Sequence, residues 1–202
     1  MEAFKTFKSK AIPLDMSNVD TDLIIPAQYL TSVSKSGYGE NVFRRLREQD
    51  PNFPLNEERF NGGEILIVKD NFGCGSSREH AVWALAGAGI KTIIGISFAD
   101  IFAGNSAKNG LLLIEQPEEV VLSLLEKAQD GTYEIEINLE EELVNLPDGE
   151  QLSFSYDPFR RHCLLNGLDD IDYILSNKDA IDSFRKKQEE NRFYKTSVIN
   201  NG

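Results

Sequence analysis

The sequence predicts an α/β fold in which parallel strands are joined by helical crossovers. Three observations carry this. Short apolar runs recur at Glu64–Lys69 (EILIVK), Ile90–Ile96 and Leu111–Glu115, the length and composition of buried strands. Helix-compatible segments separate and follow them, at Ser76–Ala88, Ser97–Lys108 and Glu118–Gln129. Glycines or Asn-Gly pairs close those segments, at Gly87, Gly89, Asn109-Gly110 and Gly131. Strict alternation of this kind implies a parallel sheet with right-handed connections.

The remaining elements follow in order. Ala3–Ile12 reads as a first strand, Pro13–Asp22 as a turn-rich segment and Leu23–Pro26 as a short apolar piece. Residues 31–64 look irregular, rich in Ser, Gly and Pro, with one helix expected over Glu40–Glu48. A loop of that length inside a domain points to function or disorder. Thr132–Asn138 and Gln151–Tyr156 alternate apolar and polar residues and are expected to pair as a hairpin across Pro147-Asp148-Gly149. From Pro158 the chain turns helical, over Phe159–Leu165, Asp169–Leu175 and Lys178–Arg192. The expected organisation is one α/β domain, 1–157, with a helical C-terminal extension, 158–202, packed on it.

Composition narrows the function classes. With 202 residues and 41% hydrophobic content, the chain can bury one sizeable core. A net charge of −12 argues against nucleic acid as a partner. No apolar run approaches the roughly 20 residues of a membrane span, and Met1–Lys10 lacks the apolar core of a signal peptide. The expectation is a cytoplasmic protein. The two cysteines, Cys74 and Cys163, are too few for an iron–sulfur cluster, which takes three or four thiolates. A reaction needing a cluster would need a second chain to hold it.

The densest signal is Asp70–His80, DNFGCGSSREH, between a strand and a helix. Gly73 and Gly75 allow a tight turn and close approach of the backbone to a ligand. The unpaired amides and dipole of a helix N-terminus favour a negative group. Arg78 adds a permanent planar cation matched to a carboxylate, and Ser76 and Ser77 add two hydroxyls. A plainer alternative is a capping box, because Ser76 and Glu79 have the S-x-x-E spacing. His80 could likewise be a packed histidine, and Cys74 an inert small residue. Other loop chemistries fit less well. No GxxxxGK[ST] string occurs, Arg78 stands where a dinucleotide fingerprint needs its third glycine, and CGSSR is not G-x-S-x-G.

GSSREHA, Gly75–Ala81, resembles the serine–serine–arginine loop in the swivelling domain of aconitases and their relatives. Asn18–Pro26, NVDTDLIIP, is similar to the opening motif of small subunits in this superfamily. Ser97–Gly110 is similar to the segment after the second strand of that domain, and Pro158–Leu175 to the tail of bacterial isopropylmalate isomerase small subunits. The resemblance covers nearly the whole chain, in matching order and spacing.

It implies a three-layer β/β/α swivelling domain and a hydro-lyase. The expected reaction interconverts 2-isopropylmalate and 3-isopropylmalate by loss and return of water, in leucine biosynthesis. It implies no cofactor bound by this chain, and a large partner subunit carrying a [4Fe-4S] cluster. By the same resemblance Ser76 is the catalytic base and Ser77, Arg78 and Asp22 bind substrate or orient the loop. Gly73, Gly75 and His80 support the developing negative charge. Leu30, Val33 and Tyr38 would line an apolar pocket for the side group, with Lys35 as a nearby cation. Arg44 and Arg45 are candidates for a further substrate arginine. Related hydro-lyases acting on homoaconitate, citraconate or dimethylmaleate remain open, as does a non-catalytic anion-binding module.

Overall fold

The computed structural model describes residues 1–30 and 37–190. Among them seven strands form one sheet: β1 (Phe7–Leu14), β2 (Ile65–Val68), β3 (Thr92–Gly95), β4 (Leu112–Glu115), β5 (Glu134–Asn138), β6 (Leu143–Asn145) and β7 (Gln151–Ser153). Their order is β4-β3-β2-β1-β5-β6-β7. The first four run parallel, and the last three join antiparallel. β1 belongs to both halves. Its first half, Phe7–Lys10, pairs with β5, and its second, Ala11–Leu14, pairs with β2. Pro13, which has no N–H to donate, sits in the half where β5 has already ended, the position a strand proline tolerates.

Period-two alternation in the parallel strands feeds two cores. Leu66, Val68, Ile93 and Leu113 face one side, against Val82 and Leu85 of helix α3 (Glu79–Gly87) and Phe102 of α4 (Asp100–Lys108). Ile65, Ile67, Ile94, Leu112 and Ile114 face the other, with Val121, Leu124 and Leu125 of α5 (Glu118–Lys127). Ile135, Ile137 and Val144 of the antiparallel half share this second core. The sheet therefore curls, and the β/β/α layering expected from the sequence is borne out. The alternating αβ segments between residues 64 and 129 are also in place. Among the described residues no helix is long and apolar enough to cross a membrane.

Some local expectations are corrected. The hairpin across residues 147–149 pairs β7 with β6, not with β5. β6 is only Leu-Val-Asn, too short to show alternation. Residues 37–64 are not an open loop. Tyr38, Val42, Phe43, Phe53 and Phe60 are all buried there, between short 3-10 turns. The expected helix over 40–48 is α2 (Arg44–Gln49), because Phe43 takes a left-handed φ of 50° that cannot continue a helix backwards.

The chain divides into two compact units, 1–168 and 169–202. Helix α6 (Pro158–Asn166) lies in the first. Asp157 caps it, Pro158 opens it and Gly167 closes it in a left-handed conformation. Its Leu164 carbonyl accepts from Phe4 N at 2.9 Å. The second unit contains α7 (Asp170–Ser176), opened by an Asp169–Asp172 capping box, and α8 (Lys178–Glu190).

Just before α6, burial pushes the Tyr156 hydroxyl up to about 12, with Asp157 adding to the rise and Arg160 opposing it. The folded state therefore holds this proton more tightly than the unfolded chain, whose tyrosine ionises near 10. The resulting stability is whole below about pH 10 and is lost as pH rises towards 12. Tyr156→Phe should lose less stability than the wild type between pH 9 and 11.5, read by denaturant titration. Equal losses would remove Tyr156 as the cause.

Candidate active site

Three loops meet at the C-terminal edge of the parallel strands, the edge where open α/β sheets bind ligands. They follow β1 (15–20), β2 (69–78) and β3 (96–99). Main-chain bonds stitch them together. Gly73 N donates to Val19 O at 2.8 Å, Thr21 N to Cys74 O at 3.0 Å, Phe72 N to Ser97 O at 3.1 Å, and Ala99 N to Phe72 O at 3.0 Å. Asn18 and Asn71 both take left-handed φ values, and Asn71 Nδ2 donates to Asn18 Oδ1 at 2.7 Å. Asparagine tolerates this conformation better than most residues.

The loop glycines do separate jobs. Gly73 has φ +77°, and a Cβ there would lie 2.2 Å from Phe102 Cγ. Its close approach is thus to the first turn of α4 rather than to a ligand. Gly75 has φ +90°, with Asp20 Cβ 3.4 Å from where its own Cβ would be. It turns the chain over the segment 20–22, and Ser76 and Ser77 follow, both exposed.

Helix α3 starts at Glu79, three residues later than the sequence suggested. Arg78 is its N-cap residue in extended conformation, and no side chain caps it. The Ser76–Glu79 capping box is therefore not formed. Glu79 instead accepts from Asn109 Nδ2 at 2.7 Å, while Asn109 Oδ1 accepts from Trp83 Nε1 at 3.0 Å. The two serines are left outside the helix, at its positive end.

Facing them is the short helix α1 (Thr21–Ile24), whose first turn is capped by Asp20 accepting from Leu23 N at 2.7 Å. Asp22 forms an ion pair with Arg78. Thr21 Oγ1 donates to Ser76 O at 3.1 Å and lies 3.4 Å from Ser76 Oγ. Ser76, Arg78 and Asp22 are thus brought together, with Ser77 beside them. The two residues before Asp22 divide: Asp20 is a cap, and Thr21 touches Ser76. What the NVDTD string does not show by itself is that Thr21 opens a short helix opposite the serine pair.

The other candidates fall elsewhere. His80 is half-buried, its ring centroid 4.7 Å from Trp83 and 5.3 Å from Tyr38. Tyr38 is 2% exposed, within the core. Leu30 is half-buried against the same core; Val33 and Lys35 lie outside the described residues. Arg44 and Arg45 are exposed on α2, where Arg44 pairs with Glu48 and its pKa is raised by that contact. A cavity of about 300 Å³ lies at the far end of α3, against Gly87, Ala88, Gly39 and Phe60, away from the serine loop. Cys74 is half-buried and Cys163 buried, and neither is in a disulfide. Among the described residues no three His, Cys, Asp or Glu side chains converge on a metal position. With two cysteines in all, this donor set does not fit a [4Fe-4S] cluster.

Comparison with known proteins agrees with this geometry. Residues 1–119 match the family described as the aconitase C-terminal domain. A 3-isopropylmalate dehydratase small subunit of Francisella philomiragia is 52% identical over 93% of this chain and 99% of its own length. One from Acidobacterium capsulatum is 48% identical, over 94% of this chain and 92% of its own. The crystal structure of a 3-isopropylmalate dehydratase from Methanocaldococcus jannaschii superposes with a TM-score of 0.66 at 29% identity, covering 90% of this chain and 99% of that one. Sheet order, the serine–serine–arginine loop and end-to-end similarity all point the same way: the chain belongs to the aconitase C-terminal domain family and, within it, to the 3-isopropylmalate dehydratase small subunits.

Proposed function

We propose that this chain is the small subunit of a cytoplasmic 3-isopropylmalate dehydratase. It would interconvert 2-isopropylmalate and 3-isopropylmalate through the unsaturated acid, in leucine biosynthesis. The observation that carries the reading is identity of about one half along almost the whole chain to small subunits of that name. A large partner subunit would hold the [4Fe-4S] cluster, which would supply Lewis-acid chemistry for loss of the hydroxyl.

This chain's own residues supply the other half of the chemistry. Ser76 takes the C–H proton as an alkoxide and returns it when water is added to the other carbon. A serine hydroxyl is a poor base in water, so its anion needs stabilising. The positive end of α3 and the neighbouring loop amides serve this once the partner closes the site against solvent. Ser76 and Ser77 are exposed in the chain by itself, in keeping with a reagent waiting for that closure. Arg78 clamps a substrate carboxylate, and Asp22 holds its guanidinium in place meanwhile. Ser77 donates to the substrate. Leu30, Val33 and Tyr38 are proposed to shape the side-group specificity, Tyr38 through its hold on His80.

Formation of the conjugated acid from isopropylmalate should appear only when the chain is mixed with its cluster-loaded large subunit. Turnover of citraconate or homoaconitate but not of isopropylmalate would redirect the reading to another hydro-lyase. In the same assay Arg78→Lys keeps the charge but loses the planar fork. It should raise KM roughly tenfold or more, since a charge-assisted bond to carboxylate is lost. An unchanged KM would remove Arg78 from the carboxylate site.

A further inference from the structure

We infer that Thr21 is a positioning residue for the reaction, holding Ser76 and stabilising it when its proton has left. The inference rests on the proposed role of Ser76 as base. Thr21 is 2% exposed and is one of few buried polar residues among those described. Its hydroxyl meets Ser76 twice, donating to the main-chain oxygen at 3.1 Å and facing Oγ at 3.4 Å. Its own amide donates to Cys74 O at 3.0 Å, so its backbone and side chain both grip the serine loop. Threonine is stiff about χ1 because two heavy atoms branch from Cβ, so this hydroxyl is aimed rather than free.

Gly75 makes the turn that lays the loop over Thr21, and it is the backbone conformation rather than lack of room that calls for glycine. A Cβ there would come within 3.7 Å of Thr21 Oγ1, and φ +90° belongs to the region that favours glycine. The neighbouring Asp22 does for Arg78 what Thr21 does for Ser76. Two adjacent residues of α1 thus hold two alternate residues of the loop.

The hydroxyl of Thr21 carries one proton and two acceptor lone pairs. With Ser76 neutral, that proton bonds the Ser76 carbonyl, and the Ser76 hydroxyl can point at Thr21 Oγ1. When Ser76 is an alkoxide, a rotation about the Thr21 C–O bond transfers the donated bond from Ser76 O to Ser76 Oγ. No proton is gained or lost by Thr21. The anion gains a buried donor, so the pH at which the serine becomes competent falls.

The test uses the complex of this chain with its cluster-loaded large subunit, in four versions: wild type, Thr21→Val, Thr21→Ser and Ser76→Ala. Thr21→Val keeps the shape and removes the hydroxyl. It should lower kcat about tenfold to a hundredfold, the effect of one bond to a charged group, with KM nearly unchanged. The ascending, low-pH limb of its kcat–pH profile should move to higher pH. Thr21→Ser should restore most of the rate and the profile. If Thr21→Val does not assemble, Thr21→Ala takes its place and is read in the same way. Loss of activity in Ser76→Ala with wild-type kinetics in Thr21→Val overturns this inference alone. So does a valine variant with raised KM and an unmoved profile, or a serine variant no better than valine. Full activity in Ser76→Ala overturns the reading of the base itself.

Discussion

Ser76→Ala should lower kcat of the assembled enzyme about 10²- to 10⁴-fold, the usual contribution of a positioned acid–base group, and leave KM within a small factor. The side chain is exposed and lies outside α3, so its removal takes no packing and no helix cap with it. Thermal unfolding should therefore be unchanged within about 0.5 kcal/mol, as for surface substitutions generally. Isotope exchange at the substrate C–H should fall in parallel with turnover, because that proton is the one the serine accepts. A variant that kept exchange while losing turnover would assign the proton to another group. Ser77→Ala, one residue on, should act on KM at least as much as on kcat, since its proposed bond is present before the transition state.

Gly39→Ala is the substitution with the largest expected effect on stability. An added Cβ would stand 2.2 Å from the carbonyl carbon and oxygen of Gly87 and 2.6 Å from Ala88 N. These are main-chain atoms closing α3, so no side chain can swing away. Relief requires moving the 3-10 turn at Gly39–Asn41 off the helix, and with it Tyr38, which packs on His80 and Trp83. Overpacking of this kind costs about 3 kcal/mol. For a domain of this size that lowers Tm by roughly 6 to 12 °C. The control is Gly104→Ala, within α4, where nothing lies within 4 Å of the added carbon. There alanine should be neutral or stabilising by about 0.5 to 1 kcal/mol. A Gly39→Ala protein as stable as the wild type would mean that the turn and helix do not touch.

Legibility in the sequence followed the range of the interactions. β2 is a run of four apolar residues buried on both faces, and β3 and β4 carry the buried apolar stretches Ile93-Ile94 and Leu112–Ile114; such runs announce themselves. The serine loop was visible because Gly73, Gly75, two serines and Arg78 are contiguous. What the sequence hid is made by partners far apart along the chain. The start of α3 was placed early because Ser76–Glu79 has capping spacing, whereas Glu79 is drawn to Asn109, 30 residues on. Residues 37–64 looked irregular because their order comes from aromatic rings seated in the core rather than from any periodicity. The tie of Thr21 to Ser76 was hidden for the same reason: its partner is 55 positions away.

The double allegiance of β1 also has a kinetic meaning. Loop closure over so long a separation is slow compared with the local β2-α3-β3-α4-β4 contacts. A fragment containing only those local elements carries Ser76 and Arg78 but neither Thr21 nor Asp22. Such a fragment could acquire its helices and strands while its reactive loop stays untethered. The serine and the arginine are held only when the middle of the sheet zips shut in register. Correct threading of the first strand and maturation of the site are therefore one event, and a chain that misregisters there has no half-formed site with which to misprocess substrate.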